Sequence, residues 1–93
     1  MNRSCEAHVV VTGKVQGVFF RASTREVAAA CGVRGYVRNL PDRSVEAVLQ
    51  GEREAVEKVI EFMGEGPPGA LVTGIRVDWR EPTADFPGFD VRR

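Results

Sequence analysis

The chain has 93 residues, 43% of them hydrophobic and 28% charged, with 13 Lys plus Arg balancing 13 Asp plus Glu. That length, with no low-complexity run, is one folded domain over 1–93 and excludes a second; a chain this short buries about 60–70% of its unfolded surface. The zero net charge excludes the broad positive field that holds proteins on nucleic acid or anionic membranes, so any anion must be gripped locally.

No apolar run approaches the roughly 20 residues of a membrane span. The N-terminus leads straight into a strand-like run, without the apolar core or cleavage site of a signal peptide, and the expectation is a cytoplasmic protein. Cys5 and Cys31 are then expected as free thiols. His8, the single histidine, makes no familiar zinc spacing with them and no acidic cluster replaces it, so no metal is expected.

Glu6 to Thr12 is rich in β-branched residues and ends at Gly13, which reads as a strand with His8 as a solvated or edge side chain. Gly13 and Gly17 mark a sharply turning loop. A helix follows from Ala22, with Thr24, Val27, Ala28 and Cys31 on one face and Gly32 at its C-terminal cap. Val33 to Asn39 and Ser44 to Gln50 form a predicted hairpin, turned by Leu40-Pro41-Asp42-Arg43. Beyond Gly51 the pattern of Val56, Val59, Ile60 and Met63 predicts an amphipathic helix over Glu52 to Met63, stopped by Gly64. Glu65 to Ala70, with its paired prolines, is an ordered connection. Leu71 to Arg80 is a strand whose Ile75, Val77 and Trp79 share one face and are expected in the core; Phe89 to Val91 is a short terminal strand.

The order β-α-β-β-α-β with a short fifth strand is that of a ferredoxin-like α+β fold, an α/β sandwich with a mostly antiparallel sheet, two helices on one face and water on the other. Its first strand, glycine loop and helix gather free backbone N–H groups at the positive end of a helix dipole, a place that favours an anion. Arg21 stands where loop becomes helix, and its guanidinium fork can bind two oxygens of a phosphate or carboxylate while the amides hold the others. A glycine loop with an arginine is, alone, a motif of low specificity. Asn39 ends the second strand, which is expected to lie beside the first and so bring this amide to the loop, where it could orient a water without taking its proton. On local sequence Asn39 is equally a turn residue before Leu40-Pro41.

Gly13 to Arg21, then Gly35-Tyr36-Val37-Arg38-Asn39 and Val45 to Gly51, closely resemble the two signatures of the acylphosphatase family, and the likeness covers nearly the whole chain. The resemblance implies a small ferredoxin-like enzyme that hydrolyses carboxyl–phosphate mixed anhydrides with neither metal nor organic cofactor. It also implies that Gln16, Gly17, Val18, Phe19, Phe20 and Arg21 cradle the phosphoryl group, that Arg21 binds it, and that Asn39 positions the attacking water. The chemistry suits so sparse a set: a carboxylate leaves readily without a general acid, and the remaining task is to hold the equatorial oxygens and align the water. Two positions depart from the family pattern: Arg43 replaces the usual glycine of the hairpin turn, and Val91-Arg92-Arg93 replaces a frequent aromatic ending. If the turn keeps its positive φ, Arg43 carries a steric cost.

Three other readings compete. A ferredoxin-like domain can be a non-catalytic module that senses phosphate or carboxylate or mediates an interaction. Single-stranded RNA binding would need exposed aromatics on adjacent central strands with a basic surround, which the sequence does not clearly provide. A detached copy of the acylphosphatase-like domain of larger carbamoyl-transfer maturation proteins is disfavoured, on this reading, because the chain ends where the domain ends. The leading expectation is a free enzyme acting on small acyl phosphates, without nucleic-acid or membrane partners, and a monomer for want of an unexplained apolar stripe.

Overall fold

The computed structural model describes residues 4–92. Seven elements follow one another: β1 (Ser4–Lys14), α1 (Phe20–Cys31), β2 (Arg34–Asn39), β3 (Val45–Glu52), α2 (Arg53–Glu65), β4 (Leu71–Arg80) and β5 (Phe89–Arg92). They make one sheet in the order β4-β1-β3-β2-β5. Every pairing is antiparallel except β2 with β5. This is the expected ferredoxin-like α+β sandwich.

Alternation along the strands decides which side chains meet the helices. Ala7, Val9 and Val11 of β1 stand opposite Leu49, Ala47 and Val45 of β3, and Val37 of β2 continues the row across Ala47. All seven are buried, and Phe20 and Ala28 of α1 with Val56, Val59 and Met63 of α2 close over them. Helical spacing singled out Ala28, Val56, Val59 and Met63, whereas Phe20 was read as a loop residue; all pack in one continuous core.

Several expectations need correction. β2 does not lie beside β1, because β3 runs between them. The crossover through α1 skips one strand position, as in the split β-α-β unit, and the β2–β3 hairpin fills it. Nor does β1 stop at Gly13: it bulges between Thr12 and Gly13 and runs on to Lys14. At this bulge a Cβ on Gly13, φ 124°, would lie 2.1 Å from the carbonyl oxygen of Leu71, so only glycine fits. Helix α1 begins at Phe20, not Ala22, after Phe19 takes a left-handed φ of 61°. Gly64 lies inside α2, which ends at Gly66, φ 77°, whose N–H donates to the Phe62 carbonyl.

The stripe on β4 is right in direction and wrong in burial. Ile75, Val77 and Trp79 stand opposite Val11, Val9 and Ala7, so they point to the helix-covered side. β4 is an edge strand, however, and the helices do not roof it: Ile75 is 41% exposed, Trp79 36% and Leu71 63%. Val77 alone is half-buried against the core. The Arg53 guanidinium lies 3.8 Å above the Trp79 ring and provides its partial cover. The expectation of a monomer rested on there being no such strip, and that premise fails.

The second face of the sheet is not simply open to water. The connection 81–88 folds back over it and is tied down by the buried carboxylate of Glu6. That group accepts from Arg80 Nε at 2.6 Å, from Thr83 Oγ1 at 2.9 Å, from the Thr83 N–H at 3.3 Å and from Gln50 Nε2 at 3.2 Å. Burial pushes the Glu6 carboxyl up, but the bonds from Arg80 and Thr83 outweigh it and hold the group below its ordinary value. His8 is not an edge residue, since β1 is flanked by β3 and β4, and its half-buried side chain puts Nε2 2.7 Å from Glu46 Oε2, with Arg38 on the other carboxylate oxygen.

Candidate active site

Beyond the bulge Gly13 and Lys14 stay paired with β4, the chain then leaves the sheet, and buried Val15 pins the loop to the core. Gly17 at φ 75° and Phe19 at φ 61° then curl the backbone left-handed on either side of Val18 before α1 starts. The first turn of α1 has neither a side-chain cap nor an acidic residue. The leading N–H groups of a helix lack intrahelical partners, so this turn presents donors and the positive end of the dipole to its surroundings.

That turn forms one wall of a cavity of about 310 Å³. Gln16, Gly17, Phe19, Phe20 and Arg21 line it from the loop and helix, and Asn39 lines it from the end of β2. The two elements meet although β2 is not adjacent to β1, because α1 carries the chain across to β2 and the loop reaches over β3. Val18 is the exception among the expected residues. It does not line the cavity; its side chain is half-buried against the core and faces Gly69 in the connection between α2 and β4. Val15, Ala22 and Val91 line the cavity without having been foreseen. Val91 reaches it from β5, and no local signal announces the parallel pairing of β5 with β2.

Each polar side chain has a distinct task. Gln16 Nε2 donates to the carbonyls of Leu40 at 3.0 Å and Ser44 at 2.9 Å, so this amide braces the loop against the β2–β3 turn and is not free for a ligand. Its neighbour in that turn, Asp42, accepts from the Ser44 hydroxyl and from its N–H at 3.0 Å, and these bonds hold the Asp42 carboxyl below its ordinary value. Arg21 Nη1 donates to the Arg92 carbonyl at 3.1 Å, which fixes the guanidinium from β5 and leaves most of its donors for an anion. Arg92 is itself held by its guanidinium, 3.9 Å above the Tyr36 ring. Asn39 Oδ1 is buried and has no hydrogen-bond partner. A buried acceptor left unpaired costs about 1–3 kcal/mol, so Asn39, a residue of the cavity wall, holds an amide oxygen that no protein group satisfies. Among the described residues no three His, Cys, Asp or Glu side chains converge to hold a metal ion, and Cys5 and Cys31 are free thiols.

Comparison with known proteins decides what lineage this cavity belongs to. The family model described as Acylphosphatase matches residues 7–91. The chain belongs to the acylphosphatase family. A curated acylphosphatase of Pelotomaculum thermopropionicum is 51% identical over 91% of this chain and 92% of its own length. One of Pyrobaculum islandicum is 56% identical over 91% of this chain and 90% of its own. The solved structure of an acylphosphatase from Coxiella burnetii superposes with a TM-score of 0.91 at 41% identity, covering 98% of this chain and 94% of that one. For an acylphosphatase-family chain the hairpin departure takes a definite form: Arg43 occupies the turn with φ 75°, the left-handed geometry suited to glycine.

Proposed function

We propose that the cavity binds the phosphoryl group of a small acyl phosphate and that Asn39 orients the water that attacks it. The activity is that of an acylphosphatase, a hydrolase. Arg21 and the free amides of the first α1 turn grip the equatorial phosphoryl oxygens, with Gln16, Gly17, Phe19 and Phe20 shaping the cradle and the Val18 peptide spanning it. Water adds to phosphorus opposite the acyl oxygen as the bond from phosphorus to that oxygen breaks. The bonding electrons leave on the carboxylate, and the proton lost by the water ends on phosphate or solvent. The carboxylate is stable enough to depart without a general acid, so two side chains and a set of backbone dipoles suffice.

One observation carries this reading: Asn39, whose amide oxygen has no protein partner, lines the same cavity as Arg21 and the uncapped turn of α1. An amide oxygen there accepts a hydrogen bond from water and fixes its orientation, while an amide is too weak a base to take the proton. The cavity, about 310 Å³, has room for the whole of a small acyl phosphate, and its polar groups gather at the phosphoryl end. The substrate is then a small soluble molecule of the acetyl or carbamoyl phosphate kind, met in the cytoplasm.

The test is hydrolysis of an aryl acyl phosphate in the presence of chelator, with p-nitrophenyl phosphate as ester control. Wild type turns over the acyl phosphate and spares the ester. Arg21→Ala loses about 10²–10³ in kcat, the usual effect of removing one preorganised electrostatic contact, and Asn39→Ala loses kcat with KM little changed. Circular dichroism checks that both remain folded. A folded wild type that binds phosphate without turnover would sink the catalytic reading and leave an anion-binding module.

A further inference from the structure

The cavity that holds Arg21 and Asn39 does not end at Ala22 and Val91. Both residues also line a second groove, of about 500 Å³, whose other walls are Arg25, Glu26 and Ala29 of α1. Ala22 is exposed and Val91 is 39% exposed, so cavity and groove meet across an open apolar ledge between the outer face of α1 and β5. The opposite flank differs. There the cavity borders a hollow of about 350 Å³ that carries Lys14 and Arg43, but the residues common to both are Val15, which is buried, and Gln16, whose amide is bonded across to the β2–β3 turn. An acyl chain too long for the cavity therefore has its open path toward Arg25.

Arg25 stands one helical turn beyond Arg21, about 6 Å further along the axis of α1. Like charges at that spacing repel. Among the described residues Arg25 has no ion pair to offset this. A ligand with two anionic groups, one at each guanidinium, turns the repulsion into attraction. We propose that the groove receives the acyl half of the substrate and that Arg25 selects acyl phosphates whose acyl chain ends in a second carboxylate, the monophosphorylated anhydrides of dicarboxylic acids. This inference rests on the acyl phosphate reading above and adds the identity of the acyl half. With the phosphoryl group at Arg21, the chain leaves across Ala22 and Val91, whose apolar surface suits a hydrocarbon body, and the terminal carboxylate meets the Arg25 fork. Glu26, in the same groove, opposes a carboxylate, so the balance between Arg25 and Glu26 sets the size of the preference.

The probes are 4-carboxybenzoyl phosphate and 4-methylbenzoyl phosphate, rigid substrates of matched shape that differ in the distal charge. The readout is the ratio of their kcat/KM values in each variant relative to wild type, in which intrinsic reactivity and any change common to both probes cancel. Arg25→Ala lowers the ratio by about two- to fivefold, the worth of an exposed ion pair, and acts through KM; Arg25→Glu lowers it further. Arg25→Lys keeps most of the preference, and Glu26→Gln raises it. High salt shrinks the Arg25 effect, which a packing change does not explain. Lys14→Ala, in the flanking hollow, leaves the ratio at the wild-type value. Both probes turned over with equal ratios in wild type, Arg25→Ala and Arg25→Glu overturn the proposal and leave the acyl phosphate reading standing. So does a wild type that hydrolyses acetyl phosphate but neither aryl probe, and a ratio that moves with Lys14 in place of Arg25 overturns the route. A wild type that hydrolyses none of the three removes the underlying reading and the proposal with it.

Discussion

Arg43→Gly is expected to stabilise the protein without touching catalysis. Arg43 holds φ 75° in the β2–β3 turn and its side chain is exposed. The geometry is imposed from elsewhere: the Arg43 N–H donates to Leu40 O at 3.1 Å, the Leu40 N–H to Ser44 O at 2.8 Å, and Asp42 Oδ1 accepts from the Ser44 N–H at 3.0 Å. None of these bonds involves the Arg43 side chain, so glycine inherits the turn unchanged. A residue with a Cβ bears about 1–2 kcal/mol in the left-handed region. Glycine escapes that cost but is freer in the unfolded chain, which offsets about 0.5–1 kcal/mol. The net gain is about 0.5–1 kcal/mol, which raises the Tm of a domain of this size by about 2–8 °C. Arg43→Ala is the control, since it removes the side chain and keeps the strain. Thermal unfolding by circular dichroism reads both, with acyl phosphate turnover alongside. A glycine variant no more stable than wild type and Arg43→Ala would show that the turn is not strained.

Gln16→Leu removes both bonds to the β2–β3 turn, at about 0.5–1.5 kcal/mol each, and should lower both Tm and kcat while leaving phosphate binding nearly intact; an unchanged kcat would show that the brace does not position Asn39. The folded-state pKa of Glu6 lies below its ordinary 4.5, so the stability this carboxylate confers is complete above pH 4.5 and is lost as pH falls through the lower folded value. Glu6→Gln should therefore be less stable than wild type at neutral pH and show a shallower loss of Tm on acidification; parallel Tm curves would refute the linkage. Glu46, held down by His8 and Arg38 against the upward push of burial, adds to the wild-type loss in the same pH range and is unaffected by the Glu6 change. Gly35→Ala would place a Cβ 1.9 Å from the Val48 carbonyl oxygen, and denaturant unfolding should show a loss of at least about 1–3 kcal/mol, with a near-wild-type midpoint counting against the close approach of β2 to β3.

The sequence was most informative where its pattern is local. Helical spacing marked Val56, Val59 and Met63, and the glycine pair with Arg21 marked the cavity wall, because periodicity and turn chemistry act over a few residues. It was least informative where distant segments meet. The strand between β1 and β2, the reach of Val91 into the cavity, and the strap 81–88 over Glu6 depend on which strands become neighbours, and no short window encodes that. Trp79 shows the same limit for burial. Alternation gave its face correctly, but only the position of β4 at the sheet edge explains its exposure. Gln16 belonged to the expected loop by resemblance, while its role as a brace follows only from the placement of the Leu40 and Ser44 carbonyls.

The anchoring of Arg21 by the Arg92 carbonyl has a kinetic consequence. Arg21 and Arg92 are 71 residues apart in sequence, a contact with a large loop-closure cost that tends to form late in folding. Helical signal and much of the core can therefore recover before the guanidinium finds its seat. Turnover during refolding then acts as a clock for the arrival of the final strand, and a nascent chain still lacking β5 would be folded in part yet silent toward substrate.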